Sequence, residues 1–268
     1  MFKSIAYVIK ENMTNLYRIF CIARYELLAD MRDSKFGLFW NFASPAIQVI
    51  TYWLVFGIGM QRSGYDGIPY LPWVIVGFAA WWYISPCITQ GCSAVFSKKN
   101  VITKMKFPIS ILPATVCVRE FFNHLCMMAI TVVLLILFGY YPSVYWLGLI
   151  YYAFCAFMFL EALALVTSVL TMMWRDVKKL VTSLMRMLMY LSPVIWPAAF
   201  SGIPAMSFIM KLNPVYYIVT GYRDCMFFEK SIFAHPALTV YFWIVVLVLF
   251  AVGSALMYHF KRKMVDMI

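Results

Sequence analysis

Basic residues in this chain are clumped, and the clumps alternate with apolar stretches long enough to cross a bilayer. Sixteen of the 22 Lys and Arg fall in four short segments. Six precede the first apolar run: Lys3, Lys10, Arg18, Arg24, Arg32 and Lys35. The next are Lys98, Lys99, Lys104 and Lys106, then Arg175, Lys178 and Lys179, then Lys261, Arg262 and Lys263. The loops between hold only Arg62, Lys211, Arg223 and Lys230, while Arg119 and Arg186 fall in or beside apolar runs. Short loops rich in Lys and Arg stay on the cytoplasmic side of a membrane. The pattern predicts an even number of crossings, a multi-pass protein of the plasma membrane, and both termini in the cytosol.

With 64% hydrophobic and 12% charged residues, the 268-residue chain carries more apolar surface than a soluble fold of that length can hide, so lipid is its solvent. The net charge of +11 lies beside the spans, where topology and anionic headgroups account for it better than nucleic acid does. The seven cysteines are odd in number, show no C-x-x-C spacing and lie mostly in apolar runs. They read as small core residues, with no metal site and no disulfide framework. The first 35 residues are too charged for the apolar core of a signal peptide.

The expected fold is an all-α integral membrane protein with six transmembrane helices. Residues 1–36 form a cytosolic amphipathic interfacial segment, with Phe2, Ile5, Ile9, Met13, Leu16 and Phe20 recurring at helical spacing. Residues 37–268 form the membrane domain. Its spans are expected at about Leu38–Met60, Tyr70–Phe96 (with Pro86 inside), Phe121–Tyr140, Val144–Met173, Leu180–Trp196 and Ala237–Phe260. The patches Ala198–Met210 and Val215–Phe228 are too short or too broken by Gly202, Pro204 and Pro214 to cross. Residues 198–228 are therefore expected to form an outer re-entrant segment, with Tyr216, Tyr217 and Tyr222 near the path of whatever crosses.

No P-loop, H-E-x-x-H or G-x-S-x-G motif occurs, and His124, His235 and His259 are scattered. The sequence thus offers no catalytic constellation and no cofactor site. An integral-membrane transferase would need a polar cluster at one membrane face, and the deep carboxylates here are isolated. Ionisable residues within the membrane are the default functional suspects. Arg119 and Glu120 read as an interfacial pair, with Glu120 facing His124. Glu161 and Arg186 read as a structural ion pair between two spans. Aromatic side chains at Trp40, Tyr52, Trp53, Trp82 and Tyr83 could line a conduit for a sugar or polyol chain. The loop of residues 97–108 sets Val101, Ile102, Met105 and Phe107 among Lys98, Lys99, Lys104 and Lys106, the mix expected of a docking element for a soluble partner.

Several blocks then occur in a shared order. They are Gly37-Leu38-Phe39-Trp40, Tyr52-Trp53-Leu54-Val55-Phe56-Gly57, Lys104-Met105-Lys106-Phe107-Pro108, Arg175-Asp176, Ser192-Pro193-Val194-Ile195-Trp196 and Asn213-Pro214-Val215-Tyr216-Tyr217 with Tyr222-Arg223. In these the chain resembles the membrane-spanning subunits of ATP-binding-cassette exporters for cell-surface polymers, above all the wall teichoic acid translocation permeases of Gram-positive bacteria. Trp174, before Arg175-Asp176, is bulkier than that pattern expects. The resemblance implies a homodimer with two copies of an ABC ATPase subunit, which would bind ATP and Mg. It also implies that residues 97–108 and 174–179, including Arg175 and Asp176, couple that ATPase to the spans. The substrate it implies is a lipid-linked polymer. Export of O-antigen, of capsular polysaccharide or of a small lipophilic compound is the alternative within the class.

Overall fold

The computed structural model describes residues 2–32, 37–61, 64–102, 104, 107–197 and 204–261. Among them every regular element is a helix. The expected features at Lys35, Met105, Lys106, Arg262, Lys263 and the first half of the 198–210 patch lie outside the described residues.

The N-terminal segment is two helices, α1 (Phe2–Thr14) and α2 (Leu16–Arg32). They part at Asn15, where Asn12 and Asn15 turn their side-chain amides back onto the carbonyls of Val8 and Glu11 at 2.9 and 2.7 Å. Such local bonds compete with the helical ladder. Val8, Ile19 and Ala23 are buried against the bundle, whereas Phe2, Ile9, Met13, Leu16 and Phe20 are exposed. The apolar stripe seen in the sequence therefore faces outward, as a helix lying on lipid requires.

Helix α3 (Gly37–Tyr52) runs on as a π-helix over Trp53–Gly59, and α4 (Tyr70–Gly91) follows. Between them, Tyr65 and Ile68 bond to each other through both backbone groups at 2.9 Å. Asp66 and Gly67 both have positive φ (51° and 80°). This is the Asp-Gly turn whose backbone demands a residue tolerant of the left-handed region. Helix α4 is the centre of the bundle and is buried almost all round. It stops at Gly91, where a Cβ would lie 2.9 Å from that of Ala164.

Two short helices, α5 (Ala94–Ser97) and α6 (Lys99–Ile102), lead to α7 (Ile111–Leu137). Helix α7 begins ten residues earlier than the sequence suggests, because Pro113 sits in its first turn, where a missing N–H costs nothing. Helix α8 (Gly148–Met173) packs lengthwise on α12 (Pro236–Phe260). The two approach closely at Gly253, where a Cβ would sit 2.7 Å from that of Leu165. Between them in sequence lie α9 (Asp176–Leu191), α10 (Pro204–Leu212) and α11 (Pro214–Met226). Helix α11 starts with Pro214 at its first position and Asn213 as cap, its side chain accepting from Val215 N at 3.0 Å. The two outer patches of the sequence thus form short helices.

Five helices among the described residues are long and apolar enough to cross a membrane: 42–59, 70–91, 111–137, 144–173 and 236–260. Helix α9, expected as the remaining span, has only 16 residues, short of the roughly 20 that a crossing needs. Its two ends nonetheless sit level with the two ends of α4. The Arg175 guanidinium lies 5.3 Å from the Phe96 ring just beyond α4, and Val194 shares Arg223 with Trp73 in the first turn of α4. Helix α9 and the irregular turn after it together run alongside α4 from one end to the other.

Candidate functional site

The bundle has a basic end, carrying α1, α2, α5, α6 and the turn before α9, and an opposite end carrying the remaining turns. At the basic end the loop between α4 and α7 is fastened at both ends to the N-terminal helices. At its start, Lys98 Nζ lies 2.6 Å from Glu26 Oε1 on α2. At its finish, Ser110 donates its N–H at 3.3 Å, and also its hydroxyl, to the Glu11 carboxylate on α1. Ser110 precedes α7, so Glu11 places a negative charge where the helix leaves its N–H groups unpaired. Tyr7 donates to the same carboxylate and raises its own pKa through burial and that bond. The Lys261 ammonium sits 3.9 Å from the centre of the Tyr7 ring, which ties the end of α12 into the assembly.

Glu26 also reaches Arg119 of α7 at 3.5 Å. Arg119 pairs in turn with Glu120 at 2.8 Å and bonds to Gln90 of α4. Glu120 accepts further bonds from Gln90 and Asn123, both at 3.2 Å. The pairing of Arg119 with Glu120 agrees with the sequence. The placement of Glu120 does not: it turns toward Asn123, while His124 bonds to the Tyr222 hydroxyl at 2.9 Å. Lys99 lies 5.4 Å and Arg175 5.3 Å from the centre of the Phe96 ring. The loop and the turn before α9 therefore meet on one aromatic face. Lys104 is exposed, and Asp176 forms an exposed pair with Lys179 at 3.2 Å, a contact of little energetic weight.

Phe107 is half-buried and packs into two apolar clusters that join α1 and α2 to α7, so it anchors the loop. The side chain of Val101, and Met105 and Lys106 as a whole, lie outside the described residues. Phe107→Ala is expected to lower stability by about 2 kcal/mol, below the range for a fully buried Phe because this one is partly exposed. Thermal unfolding in detergent measures this, and an unchanged midpoint would show that Phe107 does not anchor the loop.

At the opposite end, Arg223 is buried and donates to the carbonyls of Pro193, Val194 (2.7 Å) and Trp73 (3.2 Å). Its guanidinium lies 3.9 Å from the centre of the Trp73 ring. Burial lowers its pKa to about 9, which leaves it charged at neutral pH. Neighbouring Asp224 is buried and pairs with Lys230 at 3.3 Å and His235 at 3.0 Å. These residues wall a cavity of about 330 Å³ that also takes in Asp66, Lys211 and Tyr216.

The aromatic residues expected along a conduit divide into two sets. Trp82 donates to Gln48 at 2.9 Å, Tyr52 stacks on Phe56 at 5.9 Å, and Trp53 is partly exposed, all on the side of α3. Trp40 is exposed on α3 itself. Tyr83, Tyr217 and Tyr222 are core residues. Tyr83 stacks on His124 at 4.9 Å, and Tyr217 bonds to Thr239 at 2.9 Å. Trp82 and Tyr83 are consecutive, so a helix turns them about 100° apart and only one can face α3. Glu161 and Arg186 form no ion pair. Glu161 is buried against Cys117 of α7, with one carboxylate oxygen unpartnered among the described residues, whereas Arg186 lies on the exposed face of α9.

The model of the ABC-2 type transporter family matches residues 17–227, from the start of α2 to the end of α11. The chain belongs to the ABC-2 type transporter family. Similar proteins include the O-antigen export system permease protein RfbA of Myxococcus xanthus, 25% identical over 82% of this chain and 84% of its own length. An RfbA of the same description from Klebsiella pneumoniae is 24% identical over 90% of this chain and 92% of its own. Membrane subunits of the ABC-2 family pair with an ABC ATPase. In this ABC-2 permease the matched region holds the whole loop from Lys98 to Ser110, Phe96 and Arg175, and the Arg223 clasp. Glu11 lies before it.

Proposed function

We propose that this ABC-2 permease moves a lipid-linked cell-surface polymer across the plasma membrane, driven by a separate ATPase that seats on its basic end. The observation that carries the reading is the double fastening of the loop to Glu11 and Glu26, with Lys99 and Arg175 sharing Phe96. A push on the loop or on the turn is delivered to α1, α2, α4, α7 and α9 together. The basic end faces the cytosol, with both termini there, by the distribution of Lys and Arg. Two copies associate, and the exposed apolar residues of α3 (Phe42, Ile47, Ile50), of the π-helix that continues it (Leu54) and of α9 (Leu184, Met187) supply the faces that meet around the path. Helices α10 and α11 dip into the outer leaflet beside the exit, and only Tyr216 of the three outer tyrosines has access to the cavity there. ATP and Mg²⁺ are bound by the partner.

The names of the relatives favour an O-antigen-type polysaccharide as the polymer. A teichoic acid is the second reading, favoured by Lys211, Arg223 and Lys230 at the outer cavity, which outnumber its two acids, Asp66 and Asp224, and leave a net positive wall for a phosphate-bearing repeat. The test is reconstitution with the cognate ATPase in proteoliposomes, followed by addition of lipid-linked O-antigen or lipid-linked polyol phosphate polymer. The matching polymer is expected to stimulate ATP hydrolysis and to appear on the far side. Stimulation by neither would overturn the proposal.

A further inference from the structure

A groove of about 810 Å³ opens between α1, α2, α7 and α8, floored by Tyr222 and Phe250 and with Glu161 at its deep end, on walls that belong neither to α3 nor to α9. Phe20 of α2, Phe121, Leu125 and Met128 of α7 and Ala153 and Phe157 of α8 give it a nearly wholly apolar lining. It follows α7 from Ala114 to Met128 and α8 from Leu149 to Glu161. At 1.5 Å per residue those lengths are about 21 and 18 Å. That exceeds the roughly 15 Å of one leaflet's hydrocarbon layer, half of a core about 30 Å thick. Its length and its nearly wholly apolar walls suit hydrocarbon chains.

Its end toward the basic face decides which lipid. A second cavity of about 340 Å³ shares Phe20 and Phe122 with the groove and adds Tyr17, Cys21 and Arg24. The apolar trough therefore continues along α2 and ends at a cation. Arg24 is exposed, and among the described residues no carboxylate lies within ion-pair distance of it. Glu26, the acid nearest to it on α2, is taken by Lys98 and Arg119. An apolar trough about one acyl chain long, capped by a guanidinium with no carboxylate partner among the described residues, is complementary to an anionic amphiphile. We propose that it holds one chain of an anionic phospholipid from the adjoining leaflet, with the lipid phosphate on Arg24. Bound there, the lipid wedges α2 against α7 and α8, beside the network through which Glu26 holds the loop.

The permease–ATPase complex is assembled in nanodiscs of equal parts phosphatidylcholine and phosphatidylglycerol. The lipid retained after delipidation is then quantified by native mass spectrometry. Phosphatidylglycerol is expected to be retained in preference to phosphatidylcholine by about fivefold, the worth of one basic residue at a membrane surface. Arg24→Gln should abolish the preference, and Arg18→Gln, outside the lining, should preserve it. Leu125→Trp, which fills the groove without changing charge, should lower retention of both lipids. The melting temperature and co-elution with the ATPase report that each variant is folded. Equal retention of the two lipids by the parent complex, or a preference that survives Arg24→Gln, would overturn the proposal. Retention of an isoprenyl phosphate carrier in place of phospholipid would overturn it as well and make the groove part of the substrate route.

Discussion

Arg223→Ala is expected to cost this permease several kcal/mol of stability and most of its yield as a monodisperse protein in detergent. Helix α9 ends at Leu191, and the chain then turns at Ser192-Pro193. The carbonyls of Pro193 and Val194 point away from any continuing helix, where an N–H would otherwise meet them. Arg223 satisfies both and adds the Trp73 carbonyl in the first turn of α4. One side chain thus closes three acceptors on two elements, from a site where it is 3% exposed. Hydrogen bonds to a charged donor contribute about 1.5–3 kcal/mol each, and buried acceptors left empty cost a similar amount. A loss of about 3–5 kcal/mol follows. The turn has no room to close over the vacancy: Val194 O already presses on Gly77 so closely that a Cβ there would collide with it. Arg223→Lys should fail nearly as badly, because a single ammonium cannot match three carbonyls held by a planar fork. The readout is the thermal midpoint and the monodisperse yield. A Lys variant with the parent's midpoint would show that charge, not the fork, is what matters.

Glu26→Gln is expected to leave ATP hydrolysis near the parent rate while export falls about tenfold. The Glu26 carboxylate holds Lys98 at the start of the loop and Arg119 on α7. Its side chain is 14% exposed and that of Arg119 11%, so this half of the junction is poorly screened; Lys98, at 39%, is much better screened and adds less. Gln keeps the shape and one acceptor but loses the charge. We expect about 1.4 kcal/mol of coupling to go with it, which is the factor of ten. The double variant Glu26→Gln/Lys98→Met should be no worse than the single one if the pair acts as a unit. Export per ATP equal to the parent's would count against the junction as the transmission point.

The fold was legible where composition alone decides. Long apolar runs gave four spans near their true places, and the breaks at Gly202, Pro204 and Pro214 marked the outer helices as short. The start of α7 was hidden because Arg119 and Glu120 read as the edge of a span, whereas their charges are met by Gln90, Glu26 and Asn123 from elements distant in sequence. The lysines of the loop were visible as a cluster, but Phe96, Glu11 and Glu26 were not. The two acids carried no distinguishing signal, being two of the four (Glu11, Glu26, Asp30 and Asp33) that sit among the bases of the first 36 residues. The pairing of Glu161 with Arg186 failed for a different reason. Depth in the membrane can be estimated from residue counts, but the face toward which a side chain turns cannot, and α9 turns Arg186 away from α8.

The Arg223 clasp also fixes an order of events during synthesis. Its acceptors lie on α4 and after α9, and Asp224 beside it is held by Lys230 and by His235 at the start of α12. Helix α11 has no home until the spans made before it have been released side by side into the bilayer. It then settles only as the last span emerges from the ribosome and brings His235 and Thr239 within reach. Until that moment the Asp224 carboxylate lacks His235, one of its two partners, so residues 204–235 are expected to be the stretch that quality-control proteases meet longest.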